Sequence, residues 1–141
     1  MRRSCGFEGE TRFPELGMNV NVLEPGMPSG LYHSETHQED FLILSGECLL
    51  LIEGEERRLG AWDFVHCPPG TPHAFVGAGS VPCVYVAVGS RAGRPGLRYP
   101  AAAFAQRYRA AVPEETTSPA EAYASYPRRV QPYRPGDLPD H

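Results

Sequence analysis

Short apolar runs alternate with polar turns through the first two thirds of the chain. The runs cover residues 18–23, 31–33, 41–44, 48–52, 56–59, 62–67, 73–76 and 81–88. The segments between them are rich in Gly, Pro and Glu, which end strands and reverse the chain. Short strands with turns at such close spacing are typical of an all-β barrel or sandwich. Because the turns leave no room for crossover helices, a parallel α/β sheet is excluded.

The pattern changes after Gly89. Residues 91–100 have the composition of a linker, and residues 101–112 have a helix-forming composition that begins after a proline. Ser118 and Glu121 have the spacing of a helical N-cap and its third residue. We therefore predict one domain with an N-terminal arm (1–17), a barrel (18–90) and an extension (91–141) that holds a linker, short helices and a Pro-rich tail.

The composition and net charge of the chain limit the molecules it can bind and indicate the cellular compartment. With 41% hydrophobic and 21% charged residues, the 141-residue chain can build a core. The net charge of -4 argues against nucleic acid, and the lack of any Lys excludes a Schiff-base lysine and a P-loop. No apolar run is long enough to span a membrane, and no secretory signal is visible. The four cysteines form no CxxC pair, so we expect free thiols in a cytoplasmic protein.

Candidate metal ligands cluster in two stretches. His33 and Glu35 are two residues apart on a predicted strand, so their side chains share a face, and Glu39 follows just before an apolar run. His73 follows a Pro-Gly turn in the second stretch. Imidazole and carboxylate groups that converge from strands suit Fe(II), Mn(II), Ni(II) or Zn(II).

The first stretch resembles the first cupin motif, G-x5-H-x-H-x3,4-E-x6-G. Glu39 aligns with the Glu of the motif, and Gly46 then stands on its closing Gly with six residues between them. His33 occupies the place of the first His. Glu35 stands where the second His is usual, which is a departure from the motif.

The second stretch resembles the second cupin motif, G-x5-P-x-G-x2-H-x3-N. Pro68, Gly70 and His73 match the motif. Trp62 stands where Gly is usual, and Gly77 stands where Asn is usual. The resemblance covers about residues 18–88, with both motifs in the expected order.

The resemblance implies a small jelly-roll β-barrel that holds one divalent transition metal ion (Fe, Mn, Ni or Zn) per chain. The implied ligands are His33, Glu35, Glu39 and His73. Cupin relatives include dioxygenases, isomerases, epimerases, decarboxylases and lyases, so we expect an enzyme that acts on a small organic molecule, of oxygenase or isomerase/lyase type. The alternative is a non-catalytic cupin that binds or senses a small molecule without metal.

Four polar residues leave alternatives open. Glu35 or Glu39 becomes the general base if it does not bind the metal. His66 is a proton donor in the pocket if its strand face points inward. It is a surface or interface residue if that face points outward. Cys67 lies on the opposite face of the same strand. His37 could replace the missing second His, although an exposed loop position is the simpler interpretation.

The aromatic residues and the sheet edges suggest further contacts. Tyr32, Phe41, Phe75 and Tyr85 are candidates for the walls of the cavity. We expect residues 100–126, which carry a Phe and three Tyr, to pack on a barrel. Barrels of this size commonly pair through sheet edges, so a C2 homodimer is the predicted assembly.

Overall fold

The structure, a computed structural model, describes residues 2–126, 130–132, 135, 136 and 138. Within these residues it contains mainly β-strands and two short helices. The strands are β1 (Arg2–Gly6), β2 (Leu16–Leu23), β3 (Ser34–Glu35), β4 (Glu39–Ser45), β5 (Glu47–Ile52), β6 (Glu55–Leu59), β7 (Phe64–Cys67), β8 (His73–Ala78), β9 (Cys83–Ser90), β10 (Leu97–Arg98) and β11 (Val130–Pro132). The helices are α1 (Ala103–Gln106) and α2 (Pro119–Ala122).

The strands form two main antiparallel sheets. The larger sheet has the order β11-β1-β2-β9-β4-β7, and the smaller has the order β6-β5-β8. Within the larger sheet the pairing of β1 with β11 is parallel. Strands β3 and β10 form a separate antiparallel pair. The predicted all-β jelly-roll barrel is confirmed, and β1 adds a strand from the segment predicted as an arm.

Alternation along the strands separates an inner from an outer face. In β4, Phe41 and Ile43 are buried in the core between the sheets, together with Tyr85 of β9 and Phe75 of β8. Leu42 lies on the outer face, as alternation requires. Burial of these side chains is the main source of stability, at about 1.5–3 kcal/mol for each large apolar residue.

At two glycines another segment of backbone approaches too closely for a side chain. Gly46 has φ 72°, and a Cβ there would lie 2.3 Å from the carbonyl oxygen of Pro82. A Cβ on Gly77 would lie 2.1 Å from the carbonyl oxygen of Glu24. The second motif therefore departs from Asn at position 77 because the backbone approaches too closely for any side chain.

Trp62 takes a backbone conformation that favours glycine. Its φ is 72°, in the left-handed region, and its side chain is 75% exposed. Its amide donates to the carbonyl of Ile43 at 2.8 Å, which fixes the turn before β7. The backbone at this position thus keeps the conformation suited to the motif's usual Gly, although the residue is Trp.

The segment after the barrel is less helical than its composition predicts. Helix α1 spans four residues rather than 101–112. The chain turns at Arg109, whose φ is 59°, and the carbonyl of Ala110 then accepts a hydrogen bond from the amide of Tyr32. Pairing with the barrel therefore prevails over helix propensity. The ring of Phe104 packs edge-on against Tyr32 at 5.3 Å.

Helix α2 begins as predicted. The side chain of Ser118 accepts a hydrogen bond from the amide of Glu121 at 3.3 Å, and Pro119 is the first helical residue. Most of the predicted Pro-rich tail after residue 126 lies outside the described residues. None of the described helices has the length and apolar character needed to cross a membrane.

Candidate metal centre

Three of the predicted ligands converge on the inner face of the barrel. His33 and His73 form an isolated antiparallel bridge, in which the amide of His73 donates to the carbonyl of His33 at 2.9 Å. Glu39 opens β4 on the opposite sheet. One potential ligand atom from each residue lies within 4.8 Å of the other two. Strand pairing and sheet packing therefore bring two imidazoles and one carboxylate to a single point.

The two histidines are oriented as metal ligands require. The Nδ1 of His33 lies 2.8 Å from the carbonyl oxygen of Leu31, and the Nδ1 of His73 lies 3.0 Å from that of Thr71. A backbone carbonyl can only accept, so in the neutral ring Nδ1 carries the proton and Nε2 keeps its lone pair. Such a hydrogen bond on the other ring nitrogen is the usual support of a metal-bound histidine. The donor set fits a divalent transition metal ion.

Glu39 and His73 form a buried charge pair. Oε2 of Glu39 lies 3.2 Å from Nε2 of His73, and the two side chains are 20% and 4% exposed. Burial alone would lower the pKa of His73, but hydrogen bonds to Cys67 and Glu39 outweigh it and raise the pKa to about 10. Burial alone would raise the pKa of Glu39, but His73 holds it below its ordinary value. Without metal, His73 is therefore protonated and Glu39 is ionised.

Glu35 lies beside this cluster rather than in it. It is not among the three residues whose ligand atoms converge, although its side chain hydrogen-bonds to Glu39. Burial, followed by the charge of Glu39, raises the pKa of Glu35 to about 7. A carboxyl that remains protonated near neutral pH can donate to an ionised neighbour. In this arrangement Glu35 influences the three converging residues through its hydrogen bond to Glu39.

His66 and His37 do not join the three ligands. His66 lies on the outer face of β7 with half of its side chain exposed, and its Nδ1 is 2.6 Å from Oδ1 of Asp40 on β4. Of its alternatives, the structure shows the outward one, because alternation turns Val65 and Cys67 inward. His37 is partly buried, and its charge acts on Glu35 from the side of the loop.

A cavity of about 190 Å³ opens beside the cluster. His33, Glu39 and His73 form one part of its wall, and Phe41, Phe75, Tyr85 and Ala87 supply apolar surface. Its polar lining outside the cluster includes Ser4, Asn19, Asn21, Ser29 and Tyr123. Three of the four aromatic residues predicted as walls line the cavity. The fourth, Tyr32, packs instead on Phe104 and accepts a hydrogen bond from the amide of Gly54.

Two residues near the site could not be found from the cupin motifs. Tyr99 stacks on the ring of His33 with centroids 5.6 Å apart, and burial raises the pKa of its hydroxyl to about 12. Tyr123 packs edge-on against Tyr99 and reaches the cavity wall. Both come from the segment after the barrel. Tyr123 lies in the segment 100–126 that was expected to pack on a barrel, whereas Tyr99 lies in the predicted linker 91–100, for which no such role was expected.

Comparison with known proteins agrees with this fold. A family model described as the cupin domain matches residues 19–89. The chain is a cupin. The model covers the barrel from β2 to β9, so the three converging ligands all lie within the matched residues.

The proteins similar to this cupin include a lyase and a sugar phosphate isomerase. The chain is 48% identical over 52 residues to the dimethylsulfoniopropionate lyase DddQ of Ruegeria pomeroyi, a match that covers 34% of this chain and only 26% of the lyase. The crystal structure of that lyase superposes with a TM-score of 0.53 and 29% identity, over 64% of this chain and 47% of the lyase chain. A cupin sugar phosphate isomerase from Silicibacter pomeroyi gives a TM-score of 0.57 at 22% identity, over 69% of this chain and 74% of its own.

Proposed function

We propose that this cupin is an enzyme that holds one divalent transition metal ion per chain and acts on a small organic molecule in the cavity. The convergence of His33, Glu39 and His73 at the cavity wall carries the proposal. Two neutral imidazoles and one carboxylate leave coordination positions for a substrate oxygen. When bound, the metal would polarise a carbonyl or carboxylate of the substrate.

The residues of this chain have distinct proposed roles. The carbonyls of Leu31 and Thr71 orient the two imidazoles, and the apolar wall excludes water from the substrate. Glu35, hydrogen-bonded to Glu39, is the proposed proton-exchanging partner of the site. His66 has no role in this proposal, because its ring lies outside the barrel.

Among the reaction classes, we propose a lyase or isomerase ahead of an oxygenase. The identity to dimethylsulfoniopropionate lyase DddQ supports this order. The first assay is therefore release of dimethyl sulfide from dimethylsulfoniopropionate by the metal-loaded protein, with His73→Ala as the control. Dimethyl sulfide release that is lost in the variant supports the lyase. No release by a fully metal-loaded protein would exclude this substrate and direct the search to other small acids.

The second candidate is a binding cupin that works without metal. The direct contact between Glu39 and His73 favours it, because the protonated ring and the carboxylate already satisfy each other. The two candidates differ in one measurable respect. Each protein is loaded with Fe(II), Mn(II), Ni(II) or Zn(II) and then dialysed. An enzyme retains about one ion per chain after dialysis, whereas a metal-free binding protein retains none.

We also propose that the cupin forms a homodimer through the outer face of the larger sheet. Phe64 on β7 is 64% exposed and Met18 on β2 is 42% exposed, and Leu42 and Val86 lie between them on the same face. A contiguous exposed apolar patch on the face of a sheet marks an interaction surface. Light scattering should give twice the chain mass for the native protein and a single chain mass for Phe64→Asp. Phe13→Asp, at an exposed loop position, is the control.

A further inference from the structure

Two hydroxyl groups in the cavity each accept one backbone hydrogen bond and keep their protons available. Ser29 Oγ accepts the amide of Phe75 at 3.1 Å, and the Tyr123 hydroxyl accepts the amide of Leu31 at 3.1 Å. Among the described residues, neither hydroxyl proton has an acceptor. Both residues line the cavity. A hydroxyl that already accepts from the backbone is best placed to donate to a ligand.

The approach of Tyr123 to the barrel depends on Gly30. A Cβ added at Gly30 would lie 3.0 Å from the hydroxyl oxygen of Tyr123. A side chain at this position would force the hydroxyl to shift by a few tenths of an ångström, enough to weaken its hydrogen bonds. The contact also spans more than 90 residues of sequence, from the loop before β3 to the end of α2. The segment after the barrel therefore supplies a group to the binding cavity, beyond its packing on the barrel surface.

The charge of the cavity limits what these donors can bind. Among the described residues, the titratable groups in its lining are His33, Glu39, His73 and the phenols of Tyr85 and Tyr123, and no Arg lines it. A charged group at the two hydroxyls would have no counter-ion in the lining other than the cluster itself, which the acid group of the ligand faces, and its burial would be costly. An apolar group would leave both protons unpaired, which is also unfavourable. A neutral oxygen, as in a hydroxyl or carbonyl group, satisfies both conditions.

The volume of the cavity limits the size of the ligand. Cavities of about 150 Å³ hold a molecule the size of benzene, and this one measures about 190 Å³. A small organic acid with one further oxygen function fits such a space.

We propose that Ser29 and Tyr123 form a recognition subsite for a neutral oxygen, so that the preferred ligand is a small hydroxy or oxo carboxylic acid. This inference rests on the proposed function, in which the acid group of the ligand faces His33, Glu39 and His73.

The test compares acids of three to five carbons that differ only at the far end. Calorimetry measures the binding of unsubstituted, hydroxy-, oxo-, carboxy- and trimethylammonio-carboxylic acids to the protein, with and without Mn(II), and metal content is determined on the same samples. We expect a hydroxy or oxo acid to bind about five- to tenfold more tightly than the unsubstituted acid of equal length. This preference should disappear in the double variant Ser29→Ala/Tyr123→Phe.

Two further variants separate the subsite from general damage to the fold. Gly30→Ala keeps both hydroxyls but displaces that of Tyr123, so the preference should fall. Tyr108→Phe removes a hydroxyl that donates to Glu56 at the surface, so the preference should persist. Tightest binding of a charged-ended acid, equal binding of all acids, or an unchanged preference in the double variant would overturn the inference. A sample that retains no metal contradicts the proposed function instead, and the metal-free series still tests the two hydroxyls.

Discussion

Glu39 and His73 lie 3.2 Å apart across the barrel, one at the start of β4 and the other at the start of β8. Their contact joins the two sheets at the point where the cavity opens. It also presets the charges of the site, because the histidine is protonated and the carboxylate ionised when no metal is present. A metal ion that binds at this site should therefore displace a proton.

The two glutamates should differ in their effect on metal retention. Glu39→Gln removes a converging carboxylate and should lower metal affinity by more than Glu35→Gln, which removes only a hydrogen-bonding partner of that carboxylate and should cost about tenfold. Equilibrium dialysis against Mn(II) followed by elemental analysis gives both values. His37→Ala serves as the control and should bind like the native protein. Equal losses in both glutamate variants would restore the four-ligand set implied by the motif.

Metal binding should release a proton from His73. The pKa of His73 is raised to about 10, so at pH 8 its ring is protonated and must lose that proton to coordinate through Nε2. Titration calorimetry with Zn(II) at pH 8, in buffers of different ionisation enthalpy, should show about one proton released per ion. A binding enthalpy that does not depend on the buffer would mean that the ring is already neutral.

The metal-free protein should lose stability as the pH rises. Since the pKa of His73 is raised from 6.5 to about 10, the folded state holds a proton that the unfolded state releases between these values. The contribution is complete below pH 6.5 and is lost as the pH rises through 10. Urea unfolding of the native protein and of His73→Gln, at several pH values, isolates this contribution. Parallel pH dependence of the two curves would rule it out.

Trp62→Gly should be neutral or stabilising, by up to about 1 kcal/mol. Trp62 lies in the left-handed region with its side chain exposed, so glycine relieves backbone strain with little loss of packing. Arg57→Gly, at an exposed position in the middle of β6, is the control and should cost about 1 kcal/mol because its backbone is extended. The midpoints of urea unfolding measure both. A larger loss for Trp62→Gly would show that its side chain has a stabilising contact.

The sequence predicts those parts of the site that a short-range pattern determines. Alternation and turn residues are local, so they indicate the strands, and the motif spacing identifies His33, Glu39 and His73. The face on which the His66 side chain lies depends on the residue at which β7 starts. The turn at Trp62 is set by its backbone hydrogen bond to Ile43 rather than by residues next to it in the sequence. Tyr99 and Tyr123 reach the site through tertiary packing over more than 60 residues, and no local pattern encodes such contacts.

The length of α1 shows the same limit. Residues 101–112 favour a helix by composition, yet the helix ends after Gln106 because the chain turns to pair Ala110 with Tyr32. Local propensity amounts to less than 1 kcal/mol per residue for such sequences, and a buried hydrogen bond with its packing outweighs it. The N-cap at Ser118 was predictable because capping depends on residues only three apart.

The most direct test of the central claim is the metal content of the native protein. The cupin is purified without an affinity tag or chelator, and transition metals are quantified per chain by elemental analysis beside His33→Ala and His73→Ala. The account predicts about one transition metal ion per native chain and none in either variant. A native protein that holds no metal, even after anaerobic loading with Fe(II), Mn(II), Ni(II) and Zn(II), would contradict it.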